Sequence, residues 1–247
     1  MNTIYQLHHD NLQRTKRPAN VVKNGTEASL YIYDVISAYW GVSAADVIDA
    51  LAQVGDAATL NVYINSPGGD VFEGRAIMAA LGRFKGKTVA IIDSLAASAA
   101  TSIALACNEV VMLEGALFMI HNASSGVWGD KTAMRSTADL LEKIELSIIK
   151  DYTGKTGKDD AEVIALMDAE SWFTAAEALS NGFIDRIEPV KAAASNAWNL
   201  AAYKNAPKVP ATSRAEPDPA LSDSALAALA GQQAQLNRNR LRLITPI

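Results

Sequence analysis

Histidine and cysteine are scarce in this chain, with three of the first and one of the second in 247 residues. A single cysteine excludes an intrachain disulfide, and with few imidazoles and no cysteine pair no metal site is expected. Cys107 sits in the apolar run SIALACNEVVML, where a thiol reads as a small buried residue with a raised pKa rather than a nucleophile. That usage fits a reducing, cytoplasmic setting. Long apolar runs are lacking too: none reaches the roughly 18 residues of a membrane-spanning helix. The start, MNTIYQLHHDNLQRTKR, has no apolar stretch between charged flanks, so no secretory signal is expected. Basic charge is short everywhere except the end. Residues 191–247 carry seven Lys/Arg against three Asp/Glu (+4), which leaves 15 against 24 (−9) in residues 1–190. An acidic body argues against a nucleic-acid enzyme, whose affinity rests on neutralising phosphates, and the basic end suits an acidic protein surface. The stretch GKTGK at 154–158 lacks the Walker spacing and a preceding strand, so no nucleotide or other cofactor is expected.

What is present is a globular composition, 49% apolar and 20% charged, enough for one sizeable domain with appendages. Residues 1–26 are polar and irregular and read as a flexible arm. From there strand and helix signals alternate. ASLYIYDVIS reads as a strand, and VSAADVIDALAQVG as a helix capped by Ser43 and stopped at Gly55. TLNVYINS is a strand ending in Pro-Gly-Gly, and 71–84 a helix. TVAIID is a buried strand, AASAATSIALAC a helix, and EVVML and ALFMIH are two short strands. Such alternation predicts βαβ units with a parallel sheet covered on both faces. Residues 130–155 predict a long amphipathic helix with Met134, Leu141, Ile144, Ile148 and Ile149 on its apolar stripe, followed by a helix near 159–168. ESWFTAAEALSNGFIDRIEPV reads as a turn, a short helix capped by Gly182, and a strand. Beyond Val190, four prolines and many small polar residues mark a linker, then a basic helical tail. The expected organisation is therefore an arm (1–26), a domain (27–190), and a linker and tail (191–247).

Three features carry chemistry, each with a bland alternative. Pro67-Gly68-Gly69-Asp70 comes directly after a strand and opens a helix. Glycines there allow positive φ and leave amides free to meet negative charge, or simply make a tight turn. Ser98 lies just past a buried strand and begins an alanine-rich helix. It reads as a nucleophile presented on a sharp turn or as a helix cap, with Ser94, Thr101 and Ser102 as local competitors. His121, where an apolar strand runs out, reads as an edge residue or as an imidazole able to reach a serine across neighbouring strands.

Together, the stretches YINSPGGDVFEG, DSLAASAA, VMLEGALFMIHN and FTAAEALSNGFIDRI resemble the Clp protease family (peptidase S14) over about residues 29–188. They are most similar to its bacteriophage branch of head-maturation, or prohead, proteases. The resemblance implies a ClpP/crotonase-like fold and serine endopeptidase chemistry on polypeptides. It implies Ser98 as nucleophile, His121 as general base, and Gly69 and Ala99 as oxyanion-hole amides. The family's aspartate falls on Glu170, a departure from the pattern, with Asp168 two residues away as the alternative. In an extended segment both carboxylates would face one side. The resemblance further implies homo-oligomeric heptameric rings, singly or stacked, in contact through residues 123–155. It implies an AAA+ unfoldase or phage capsid and scaffold proteins as partners, and a setting in host cytoplasm or procapsid. Three competing readings remain: a catalytically silent shell or scaffold protein, a crotonase-type acyl-CoA enzyme, and a Ser-Lys signal-peptide peptidase.

Overall fold

The computed structural model describes residues 6, 7, 9, 11, 19–189 and 198–207; the helical tail expected beyond residue 207 lies outside the described residues. Among the described residues, eight strands join in one sheet: β1 (Asn20–Asn24), β2 (Glu27–Ile32), β3 (Thr59–Ser66), β4 (Lys87–Ala97), β5 (Glu109–Leu113), β6 (Leu117–Ile120), β7 (Ser171–Thr174) and β8 (Arg186–Glu188). Their main order is β1-β2-β3-β4-β5-β8, and β6 pairs with β4 and β7. All neighbours are parallel except β1 on β2 and β7 on β6. The helices are α1 (Ala44–Val54), α2 (Val71–Gly82), α3 (Ala99–Leu105), α4 (Lys131–Thr156), α5 (Asp160–Asp168) and α6 (Ala175–Ser180). This is the expected α/β architecture of βαβ crossovers, with an antiparallel strand added at two places.

Local chemistry explains the element ends. Ser43 accepts from the Asp46 amide at 3.1 Å while the Asp46 carboxylate accepts from the Ser43 amide at 3.0 Å, a reciprocal cap that starts α1. Val47, Ala50 and Val54 then fall on one buried stripe. Asp70 caps α2 through the amides of Phe72 and Glu73, at 2.8 and 3.1 Å. Leu60, Val62 and Ile64 of β3 and Ala90 and Ile92 of β4 are fully buried, so α1, α2 and α3 close over one continuous apolar face.

β4 decides where the site lies, because it forks. Its first half pairs with β5 (Val89–Ile92 against Glu109–Met112) and its second half with β6 (Leu95–Ala97 against Leu117–Met119). Between the halves its register with β3 slips, from Ile64↔Ile92 to Ser66↔Ala96. Such a bulge bends a strand and re-aims the residues beyond it. The outcome is that the residue after β4 meets the residue after β6.

Four sequence expectations are corrected. The arm is ordered at its end, where β1 forms an exposed antiparallel edge strand whose polar residues carry no period-2 signal. On α4 only Ile148, Ile149 and Tyr152 are buried, and Met134 stands out in solvent, because the helix meets the body only near its C-terminal end. The turn expected before the short helix α6 is strand β7, and the helix is capped by Asn181, with Gly182 (φ 79°) next in the chain. Finally, the linker is not all linker: part of residues 198–207 packs against the body, with Tyr203 only 5% exposed beside Leu7, Val35, Leu95 and Met119.

Candidate active site

Ser98 occupies a strand-to-helix elbow with φ 53° and ψ −127°, a conformation rare outside glycine. Its amide donates to the Met119 carbonyl at 2.9 Å, which ties the elbow to β6. Its own carbonyl receives both the amide and the hydroxyl of Thr101, at 2.9 and 2.6 Å, and the Thr101 hydroxyl also meets the Tyr152 hydroxyl at 2.6 Å. Three hydrogen bonds thus hold the elbow at its amide and its carbonyl, as a strained backbone requires. Although Ser98 stands at the cap position of α3, its side chain makes no cap hydrogen bond. Instead its Oγ lies 2.8 Å from Nε2 of His121. Thr101, one of the competing hydroxyls, is engaged in holding the turn.

His121 comes immediately after β6. Burial drives its pKa below the ordinary 6.5, and the nearby Glu170 carboxylate opposes part of that fall. The imidazole is thus neutral at neutral pH, the form able to accept a proton. Burying it in that form also makes stability depend on pH. Between the folded pKa and 6.5 the unfolded chain binds the extra proton, so stability rises with pH across that window. This contribution is present above 6.5 and is lost as pH falls through the folded value. Denaturant midpoints measured from pH 7 downward are expected to decline below 6.5, and the decline attributable to His121 should vanish in His121→Gln.

The Pro67-Gly68-Gly69 turn lies against the elbow. A Cβ at Gly68 would stand 2.8 Å from Ser98 Cβ and 3.1 Å from the Ala99 nitrogen. The turn is bridged to Ile36, whose amide donates to Gly68 O at 2.8 Å and whose carbonyl accepts from Asp70 N at 2.8 Å. That bridge leaves the Gly69 N–H outside it. The Ala99 N–H belongs to the first turn of α3, where amides have no partner within the helix. A cavity opens beside the pair, lined by Val71, Arg75, Met78 and Ile148 among others. Arg75 is paired with Asp151 at 2.7 Å, and its second terminal nitrogen is buried without a partner among the described residues. Burial pushes the Cys107 thiol up to about 12, so it takes no part.

The two acids separate. Asp168 ends α5 and accepts from the Asn122 side chain at 2.7 Å, whereas Glu170 sits beyond the helix with φ 48°. The segment is therefore not extended, and the expectation that both carboxylates face one side fails for that reason. Glu170 is the one that acts on His121, through space. Its oxygens accept hydrogen bonds from the amides of Lys204 and Asn205, at 3.0 and 2.6 Å, and from the Trp172 indole at 3.3 Å. Tyr203 completes the surroundings. Its ring meets His121 edge to face with centroids 5.3 Å apart, and its hydroxyl donates to the Pro67 carbonyl. Burial raises the phenol's pKa, with the Glu170 charge adding to the rise and the Ser98 hydroxyl lowering it. Sequence reasoning missed Tyr203. The available signal was a tryptophan and a tyrosine five residues apart in an otherwise small and polar stretch.

The fold and this contact define the molecule as an α/β crossover protein with a serine–histidine pair at the ends of two adjoining strands. A model of the Clp protease family matches residues 25–191, and the chain belongs to that family. It is 34% identical over 128 residues to ATP-dependent Clp protease proteolytic subunit 2 of Treponema denticola, covering 51% of this chain and 64% of that one. To the ATP-dependent Clp protease proteolytic subunit of Streptococcus pneumoniae it is 34% identical over 130 residues, covering 51% and 66%. The chain thus matches just under two thirds of each relative's length. A ClpP1 point mutant from Listeria monocytogenes shares the fold with a TM-score of 0.59 at 22% identity, over 66% of this chain and 92% of that one. Among the described residues, no helix is long and apolar enough to cross a membrane.

Proposed function

We propose that the protein is a serine endopeptidase acting on polypeptides, with Ser98 as nucleophile, His121 as general base and Glu170 as the charge that steadies the imidazolium. The observation that carries this reading is the 2.8 Å contact between Ser98 Oγ and His121 Nε2 at a strained elbow. In the first step the Ser98 oxygen bonds to the substrate's carbonyl carbon as its proton passes to His121 Nε2. The amides of Gly69 and Ala99 receive the developing oxyanion. Collapse expels the amine, which takes the proton from His121, and water then releases the acyl group by the same path reversed. No metal or cofactor enters these steps.

The test pairs labelling of Ser98 by a fluorophosphonate with cleavage of denatured casein. Labelling and cleavage together are the expected result. Absence of both would favour a silent shell protein, and thioester binding without labelling would favour an acyl-CoA enzyme. Glu170→Gln is expected to lower kcat by about 10- to 100-fold. That is less than the roughly 10⁴-fold loss seen where the acid hydrogen-bonds the histidine directly. Asp168→Asn should change kcat by less than about 3-fold, since that carboxylate is spent on Asn122. Equal losses from the two variants would remove Glu170 from its assigned role.

Assembly and partners complete the proposal. Val127, Trp128, Met134, Leu140 and Leu146 present apolar surface to solvent along residues 127–146, inside the 123–155 segment assigned to subunit contacts. Such a patch supports a homo-oligomeric ring. The natural substrate is proposed to be a capsid or scaffold polypeptide of a phage procapsid, or one delivered by an AAA+ unfoldase.

A further inference from the structure

The family match ends at residue 191, yet described residues beyond it enter the site. The Trp198 indole donates to the Asn65 side chain at 2.8 Å, Tyr203 donates to the Pro67 carbonyl, and the Lys204 and Asn205 amides hold the Glu170 carboxylate. The Asn205 side chain adds a bond to the Ala169 carbonyl at 2.9 Å. We propose that residues 198–207 form a strap that is an integral part of the catalytic centre, in which Tyr203 is a positioning residue for the Ser98–His121 pair. The proposal rests on the peptidase reading above.

A strap that only covered apolar surface would need its rings and little else. This one does bury Leu95, Ala97 and Met119 on the sheet face behind the site. Apart from a reciprocal pair between Asn199 and Asn11, at 2.8 and 3.0 Å, its hydrogen bonds to the body converge on two places. Those of Trp198 and Tyr203 end on Asn65 and Pro67, beside the glycine turn. Those of Lys204 and Asn205 end on Ala169 and Glu170, at the acid. Tyr203 stands where these two segments meet the imidazole. Its hydroxyl pins the peptide that leads into Gly68-Gly69, and its ring shields one edge of His121 from water. Trp172 also packs against the Tyr203 ring, with centroids 5.8 Å apart. The backbone amides of Lys204 and Asn205 fix the Glu170 charge near His121 without a direct bond between acid and imidazole. An acid held this way depends on the strap for its position.

Ser98 after β4 and Tyr203 of the strap touch the His121 ring, and Glu170 before β7 is the charge that acts on it. Arg75 of α2, Ser102 of α3 and Tyr152 of α4 line the adjoining cavity. Burial is the main influence lowering the imidazole's pKa, and Tyr203 supplies part of that burial.

The experiment measures fluorophosphonate labelling of Ser98 between about pH 5 and 9 in full-length Tyr203→Phe and Tyr203→Leu, with thermal melts to confirm folding. Tyr203→Phe keeps the ring and loses the hydroxyl, with its bond to the Pro67 carbonyl and its interaction with the Ser98 hydroxyl. It should slow labelling by about 3- to 10-fold and leave the pH midpoint where it is. Tyr203→Leu opens His121 to water. It should slow labelling further and move the midpoint upward toward 6.5, a shift that loss of packing elsewhere would not produce. Wild-type rates and midpoints in both variants would overturn the proposal, and a wild-type rate in Tyr203→Phe alone would do so if the leucine variant failed to fold. Absence of labelling in the unaltered protein would instead sink the peptidase reading itself.

Discussion

Ser98→Ala is expected to abolish peptide cleavage and fluorophosphonate labelling, a loss of about 10⁶-fold where a serine nucleophile is the reacting atom. The fold should be untouched. The Ser98 side chain caps nothing, its hydroxyl is directed to His121, and alanine tolerates φ 53° no worse than serine does. Melting temperature should therefore stay close to that of the unaltered protein, which separates loss of chemistry from loss of structure. The neighbouring hydroxyls give no rescue. Thr101 is engaged by the Ser98 carbonyl and Tyr152, and no histidine reaches it among the described residues. Sizing and intact mass of the two proteins side by side would also show whether the chain processes itself, since any trimming should disappear with the Ser98 oxygen. Casein cleavage by Ser98→Ala at the unaltered rate would end the assignment.

Structure is legible in the sequence where a short stretch encodes it locally. Ser43 with Asp46, the apolar run Leu60–Ile64 and the Pro-Gly-Gly turn each announce their own structure, because caps, alternation and positive φ are properties of a few adjacent residues. The nearness of Ser98 to His121 is a different kind of fact. It depends on β4 changing partners from β5 to β6 across a register slip after Ile64, a backbone event no residue type advertises. There the spacing shared with a known family, and not periodicity, brings the two residues together. The acid escapes both routes. Counting within a motif places Glu170, but the left-handed conformation that turns it from Asp168 and the strap that holds it are long-range consequences. Tyr203 lies in a stretch whose prolines and small residues suggest linker, and its burial comes from Leu7, Met119 and Trp172, which lie far from it in sequence.

The adjacent glycines of the turn offer a test that separates geometry from strain. Both carry positive φ, 86° at Gly68 and 148° at Gly69, so alanine is strained at either. Their missing side chains would meet different neighbours. At Gly69 a Cβ would fall 2.1 Å from the Ile36 carbonyl oxygen and strike the backbone bridge, away from the elbow. At Gly68 it would fall 2.4 Å from the Ala97 carbonyl oxygen and 2.8 Å from Ser98 Cβ, so the elbow itself must move. Gly68→Ala is therefore expected to lower the rate of Ser98 labelling by about 10²- to 10³-fold, comparable to losing an oxyanion donor. Gly69→Ala should lower the melting temperature and also slow labelling, because relieving the clash with Ile36 displaces the peptide that carries the proposed oxyanion amide. Gly25→Ala supplies the control, because Gly25 has φ 61° with nothing within 4 Å of its would-be Cβ and so reports strain alone, about 1–2 kcal/mol. Active-site loss in Gly68→Ala well beyond what its own melting temperature and the Gly25 control account for would place the turn in the catalytic centre. Labelling of Gly68→Ala at the rate of the control would show that the turn and the elbow do not share a substrate.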